Sequence, residues 1–249
     1  MIRGIYTSAS ALRATTLHQG RLAHNLANTQ TTGFKQLLTV RQAYQIRAMG
    51  RYTADSADYM DHLGHLEQGL MVPDQIIDFS QGTFERTERP FDLAVEGNGF
   101  FRVQTPDGER YTRDGSFHRD TLGQLVTRDG FYVLGENGQP VVLPPGETSI
   151  QPNGAVFVDN QQVAQIGLAD VDDPAQWVQE EFNLFSADAA APLDPNTVSI
   201  KQGYLELSNV DENVQIVEMM RILRLYEANQ RSLQVHDRAL SNALSVGEV

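Results

Sequence analysis

The chain has 249 residues, 19 Lys plus Arg against 32 Asp plus Glu, and no cysteine, for a formal net charge of −13. That length allows one or two compact domains, and the missing thiols remove disulfides, thiolate zinc sites, iron–sulfur clusters and cysteine nucleophiles. The acidic balance argues against a nucleic-acid-coating protein, and no window approaches 18 apolar residues, so neither membrane insertion nor a secretory signal is expected.

The first segment differs from the rest. Residues 1–54 hold no Asp or Glu but seven basic residues, which leaves −20 for the remaining 195. Ile2, Ile5, Ala9, Leu12, Thr16, Gln19, Ala23 and Leu26 alternate in steps of three and four, a heptad stripe that predicts a helix in need of a partner. Asn25-Leu26-Ala27-Asn28 and Thr32-Gly33-Phe34-Lys35 then read as a helix stop, with Gly33 letting the chain reverse so that Phe34 packs back.

Residues 37–81 lack any sustained period and are expected to be an extended connector, with a short strand near Gln75 to Phe79. His62 and His65 would face the same way on a helix, but no third ligand stands at a recognised spacing and Gly64 spoils the helix, so no metal site is expected.

From residue 82 to 200 the texture is β. Asp107-Gly108, Asp114-Gly115, Asp129-Gly130, Asn137-Gly138 and Asn153-Gly154 are turn pairs. The runs between them, Phe100 to Gln104, Arg110 to Thr112, Gln124 to Thr127, Phe131 to Leu134, Val141 to Leu143, Ala155 to Val158 and Val163 to Val171, predict an antiparallel meander or barrel-like sandwich. Gly97-Asn98-Gly99 lacks the third glycine of a dinucleotide loop. Asp107, Asp114, Asp120 and Asp129 supply the carboxylates a glycosidase pair would need, yet their positions suit turns. No catalytic, cofactor-binding or metal-ligating set emerges.

The last forty residues repeat the heptad pattern more strongly. Ile216, Met219, Leu223, Tyr226, Gln230, Leu233, Asp237, Leu240 and Leu244 keep it for four heptads, and the plainest partner for this helix is the first one. The candidate interface between helices or subunits is therefore Ile5, Leu12, Leu22, Leu26, Ile216, Met219, Leu223, Tyr226, Leu233, Leu240 and Leu244. The expected fold is α+β. Terminal helices in 1–36 and 201–249 pair as a coiled-coil-like domain, 37–81 connects, and 82–200 forms an all-β, barrel- or sandwich-like domain.

Taken together, the motif containing Asn25 and Asn28, the one containing Gly33 and Phe34, Asp92 to Phe101 with Gly99 and Phe100, Tyr111 to Phe117, and Gln202 to Val210 with Asn209 and Val210 resemble, in this order, the signatures of bacterial flagellar rod and hook proteins. Tyr226-Glu227-Ala228-Asn229 continues the likeness. The resemblance implies a structural, non-enzymatic subunit of the basal-body rod that transmits torque for motility. Its implied partners are other rod proteins, copies of itself and the flagellar type III export apparatus, with no cofactor and no nucleic acid, and export would need no cleaved signal peptide. The length and the absence of a large insertion argue against hook proteins, and the short connector after Lys35 is more like proximal than distal rod proteins. Phe34 and Leu38 resemble the short export-gate pattern of rod and hook substrates. From another class, a β-rich carbohydrate-active protein or adhesin with helical oligomerisation ends rests on the aspartates alone.

Overall fold

Residues 2–27 contain no proline and two glycines, and they form helix α1, Ile2–Ala27. The helix closes in a tightened turn, with N–H groups of Asn28 and Thr29 reaching the carbonyls of Asn25 and Leu26 three residues back at 3.1 and 3.5 Å. Helix α2, Glu212–Val246, has neither glycine nor proline along 35 residues rich in Leu, Arg, Glu and Gln. Glu212 in its first turn complements the helix dipole. The structure, a computed structural model of the chain, describes residues 2–40, 42–43, 46–52, 60–67, 70–71, 76–171, 176–187, 191–193 and 198–246.

Two compact units emerge. Unit one comprises Met1–His24, Thr39–Gln75 and Asn213–Val249; unit two comprises Asn25–Leu38 and Ile76–Glu212. In unit one the helices touch in antiparallel order. The hydroxyls of Ser8 and Ser232 lie 3.4 Å apart, and four residues further out the imidazole of His236 lies over Gly4, where a Cβ would come within 2.5 Å of it. The buried positions Ser8, Ala14, Thr15, His18 and Leu22 on α1 answer Gln215 and Ile222 on α2. The main buried line, Ser8, Thr15, His18 and Leu22, lies one residue before the apolar stripe read from the sequence, and so do Gln215 and Ile222 on α2. Small residues at 4, 8, 11 and 15 allow close backbone approach there. The apolar stripe is for the most part half-buried; within it Leu223 is 42% exposed, and beside it Leu17, Val217 and Val235 are exposed as well.

The expected connector carries a ladder. Ile46–Tyr52 pairs antiparallel with Met60–Glu67, with a register shift at Met49/Gly50, and Gln42–Ala43 pairs with Leu70–Met71. His62 and His65 sit in the second strand of this hairpin, not on a helix.

Unit two is built on the strand Gly99–Thr105, which pairs with Gly108–Thr112 through a two-residue turn, Pro106-Asp107, and along its other edge with Tyr132–Val133 and Leu168–Asp170. Side chains alternate across a strand, so Phe100 and Phe101 serve different cores. Phe101 joins Leu93, Val103, Leu125, Val156, Ile166 and Ile200. Phe100 joins Leu37, Ile77, Tyr111, Trp177 and Phe185. A separate three-stranded sheet orders Thr148–Ile150, Ala155–Val158 and Gln161–Gln165. Two short ladders bring the end of the β region back to its beginning: Ser199–Gln202 on Leu93–Glu96, and Tyr204–Glu206 on Phe84–Arg86.

Three expectations need correction. The nine-stranded sheet is open, not a closed barrel: its path ends at His118–Arg119 on one side and Val178–Gln179 on the other. Strands of two residues offer too short a ladder to close a barrel, which needs staggered pairing all round. Val141–Leu143, between Pro140 and Pro144, forms no continuous strand, only the isolated bridges Gln124↔Val142 and Leu134↔Pro140. Val141 nevertheless accepts from Leu125 N–H and donates to Val133 O at 2.9 Å each, and Leu143 donates to Gly123 O at 2.6 Å. Val163–Val171 is divided into Gln161–Gln165 and Leu168–Asp170, broken where a Cβ on Gly167 would come within 2.6 Å of the Gly135 carbonyl oxygen.

Candidate functional site

The chemistry of unit two gathers around one carboxylate. Glu206 lies near the end of the returning strand Tyr204–Glu206, between the apolar residues Leu205 and Leu207, and is sealed from solvent. Its Oε1 accepts hydrogen bonds from Lys35 Nζ at 2.7 Å and from the N–H of Gly82 at 2.9 Å; its Oε2 accepts one from Arg113 Nη1 at 3.1 Å. Two cations therefore share one anion. Backbone carbonyl dipoles supply the rest of the balance: Lys35 also donates to Ser80 O at 2.8 Å, and Arg113 donates to Val95 O and Gly97 O. The Arg113 guanidinium lies 4.6 Å from the centre of the Phe100 ring, a cation–π contact out of water.

Burial pushes the Lys35 ammonium below the usual lysine value of 10.5, against the pull of Glu206 and with the help of Arg113's charge. Burial likewise pushes Arg113 down while Glu206 opposes it. Such a cluster is a fastening. Apart from the buried Arg113 Nε, which has no hydrogen-bond partner among the described residues, its polar atoms bond within the protein, and all three side chains are 1–2% exposed.

The N-terminal segment is pinned to the same place. Asn25 uses both sides of its amide on Leu37, donating to its carbonyl and accepting from its N–H, each at 2.9 Å. Gly33 adopts φ 66 and donates to Glu206 O at 2.7 Å; a Cβ there would lie 2.3 Å from the backbone of Arg113 and Asp114. Thr32 donates to Asp114 Oδ1 at 2.7 Å. Asn209 completes the arrangement: its Oδ1 accepts from Gln36 N at 2.8 Å, and its Nδ2 donates to Asp78 O at 2.9 Å and to Ser80.

Asn25, Gly33, Phe34, Gly99, Phe100 and Asn209 thus all belong to unit two, with Phe34 and Phe100 buried. Asn28 and Val210 are half-buried. Of the interface candidates, Leu22 is buried; Ile5, Leu12, Leu26, Ile216, Met219, Tyr226, Leu233 and Leu240 are half-buried. Leu38 is exposed, like Leu223, and the side chain of Leu244 lies outside the described residues. The sequence motifs do not mark the ion cluster as a unit, since Lys35, Arg113 and Glu206 are far apart in the chain. The available signal was a charge inside an apolar run, Leu205-Glu206-Leu207 and Phe34-Lys35 before Leu37.

The aspartates do turn work. Asp120 Oδ1 accepts from the N–H groups of Leu122 and Gln124 at 2.9 and 2.7 Å, and Asp114 Oδ1 from Ser116 at 3.0 Å. Among the described residues no three His, Asp or Glu side chains stand where they could hold a metal ion, and no helix is long and apolar enough to cross a membrane.

The chain is similar to known proteins. Residues 94–158 match the flagellar hook protein FlgE/F/G D1 domain, and residues 201–246 match the flagellar basal body rod FlgEFG protein C-terminal domain. The chain is 35% identical to the flagellar basal-body rod protein FlgF of Caulobacter vibrioides over 83% of this chain and 82% of that one. It is 31% identical to FlgG of Buchnera aphidicola subsp. Schizaphis graminum over 96% and 98%, and 29% identical to FlgG of Bacillus subtilis over 99% of each chain.

Proposed function

We infer the role of this protein from one premise: the chain belongs to the flagellar basal-body rod protein family, of the FlgF/FlgG type. It is a structural subunit of the rod, located in the basal body and associated there with other rod proteins. Within that role, the subunit packs head-to-tail with its neighbours through contacts that do not close into a ring, which builds a helical tube. Many modest interfaces repeated around the tube then carry torque in parallel.

The observation that carries this reading is the Glu206 fastening. It ties residues 33–36, just after α1, to residues 206–209, just before α2, through Lys35–Glu206, Gly33–Glu206 and Gln36–Asn209. A subunit that transmits torque needs the segments next to its two terminal helices tied to each other. The helices, pairing as a coiled coil, keep apolar residues such as Leu17, Val217 and Leu223 exposed for neighbouring subunits. The proximal, FlgF-like position is supported by the short connector after Lys35 and by the 35% identity to the Caulobacter protein.

The chain leaves the cytoplasm through the flagellum's own type III apparatus. Phe34 is buried once the protein folds and Leu38 is not, so an export gate that reads this pair meets it in the unfolded chain. A Phe34→Ala protein secreted at the normal rate excludes that role. The carbohydrate-active or adhesin reading has no support from the relatives, and Asp114 and Asp120 are engaged in turns. Deletion in a motile host tests the main reading: basal bodies should stop at an incomplete rod, and complete, rotating filaments would overturn it.

A further inference from the structure

One pocket of unit two, about 270 Å³, is floored by Asp92 and Phe117 and bordered by Thr32, Arg89, His118 and Arg128. The Asp92 side chain is 2% exposed, and its Oδ2 receives no hydrogen bond from any described residue. The closest cation, Arg89 Nε, stands 3.8 Å away, beyond hydrogen-bond length. A buried carboxylate oxygen left without a donor is expensive. Around it the border is open and carries two guanidiniums: Arg89 and Arg128 are exposed, as is His118 between them in sequence.

An exposed aromatic stands on the segment that is hydrogen-bonded to the pocket residue Thr32. Phe182 is 59% exposed and, with Asn183, stands in the left-handed region at φ 58 and 55. Two consecutive non-glycine residues there are strained and persist only because their surroundings hold them. The turn is held by Asn183, which donates to the pocket residue Thr32 at 2.9 Å, and by Thr112, which donates to Asn183 O at 3.2 Å. Phe182 meets Phe131 edge-on at 5.8 Å, three residues beyond Arg128.

We propose that this pocket receives an extended, acidic segment of a second copy of the chain. Carboxylates of the segment pair with Arg89 and Arg128, one of its backbone N–H groups donates to Asp92 Oδ2, and Phe182 covers its flank. The chemistry asks for both halves: an anion for the border and a neutral N–H donor for the floor, which a peptide rich in Asp or Glu carries together. The partner follows from charge. Residues after 54 carry a net −20, so each copy has acidic surface in abundance and this cationic border to receive it. The contact is heterologous, as an open helical array requires. The proposal rests on the rod-subunit reading.

The test places a photoreactive amino acid at His118 in flagellated cells and purifies the basal bodies after illumination. The expected product is an adduct of twice the chain's mass, cross-linked to an Asp- or Glu-containing peptide of the chain and lost in the Arg89→Glu/Arg128→Glu double variant. That variant should keep the Trp177 fluorescence of the folded unit, and Lys201→Glu, a charge change elsewhere, should keep the adduct. An adduct with a different protein, no adduct in basal bodies that contain the chain, or an adduct indifferent to the double charge reversal overturns the proposal and leaves the rod reading standing. Absence of the chain from the basal bodies defeats the rod reading itself.

Discussion

Lys35 and Glu206 are 171 positions apart in the chain, yet Nζ of one lies 2.7 Å from Oε1 of the other, with both side chains 1% exposed. This contact joins the segment that follows the first helix to the strand that precedes the last. Buried pairs of this kind contribute little net stability over apolar replacements, but removing one partner strands the other charge.

Glu206→Ala should therefore strand two cations. The expected loss is about 3–5 kcal/mol, read by urea unfolding with Trp177, the protein's single tryptophan, as the probe. It is buried against Phe100, Tyr111 and Phe185 and reports on unit two. Lys201→Met, which opens the exposed Lys201–Glu96 pair at 3.0 Å, should change stability by under about 1 kcal/mol. Equal losses in the two variants would contradict the anchoring role.

The pH dependence has a definite sign. Since burial holds Lys35 below its usual 10.5, the unfolded chain binds more protons than the native one between the lowered value and 10.5. Stability therefore rises with pH across that interval and is lost again as pH falls through the lowered value. Lys35→Met removes this contribution. Comparing urea midpoints of the two proteins from neutral pH to about 10.5, the wild type should gain on the variant as pH rises; parallel curves would rule the effect out.

Gly33→Ala should disrupt unit two by two routes at once. Left-handed backbone strain costs about 1–3 kcal/mol, and the added methyl would collide with the Arg113 and Asp114 backbone at 2.3 Å, which has no flexible side chain to yield. Gly130 also has positive φ, 88, but nothing lies within 4 Å of its would-be Cβ, so Gly130→Ala should show strain alone. A thermal melt in which the two variants behave alike would show that the close approach at Gly33 is unimportant.

Leu223→Asp separates assembly from folding. Leu223 is exposed on α2, so its replacement should leave unit two's unfolding within about 0.5 kcal/mol of wild type while abolishing swimming. Normal swimming by the variant would remove this face of α2 from the subunit interfaces.

Local chemistry was the legible part of this fold. Asp107-Gly108 marked the start of Gly108–Thr112 and Asn153-Gly154 that of Ala155–Val158, because a glycine with positive φ after Asp or Asn is a local demand. The two helices were equally plain, but the buried line sits one residue before the apolar stripe. Apolar pattern alone cannot distinguish residues that pack within a subunit from those left exposed, and Gly4, Ser8 and Thr15 favour close approach by being small. The hairpin Ile46–Tyr52 with Met60–Glu67 was hidden by its weak alternation and by Gly50 and Gly64. The Lys35–Glu206–Arg113 cluster was hidden for a different reason: its members are brought together only by the return of residues 199–206 onto 84–96, and a charged residue on a strand ordinarily reads as solvated.

The central claim is that this chain is built into the basal-body rod. Electron microscopy of basal bodies purified from a strain whose only copy of the chain carries a compact epitope label tests it directly. The label should decorate the rod, and basal bodies with complete rods and no label on them would contradict the account.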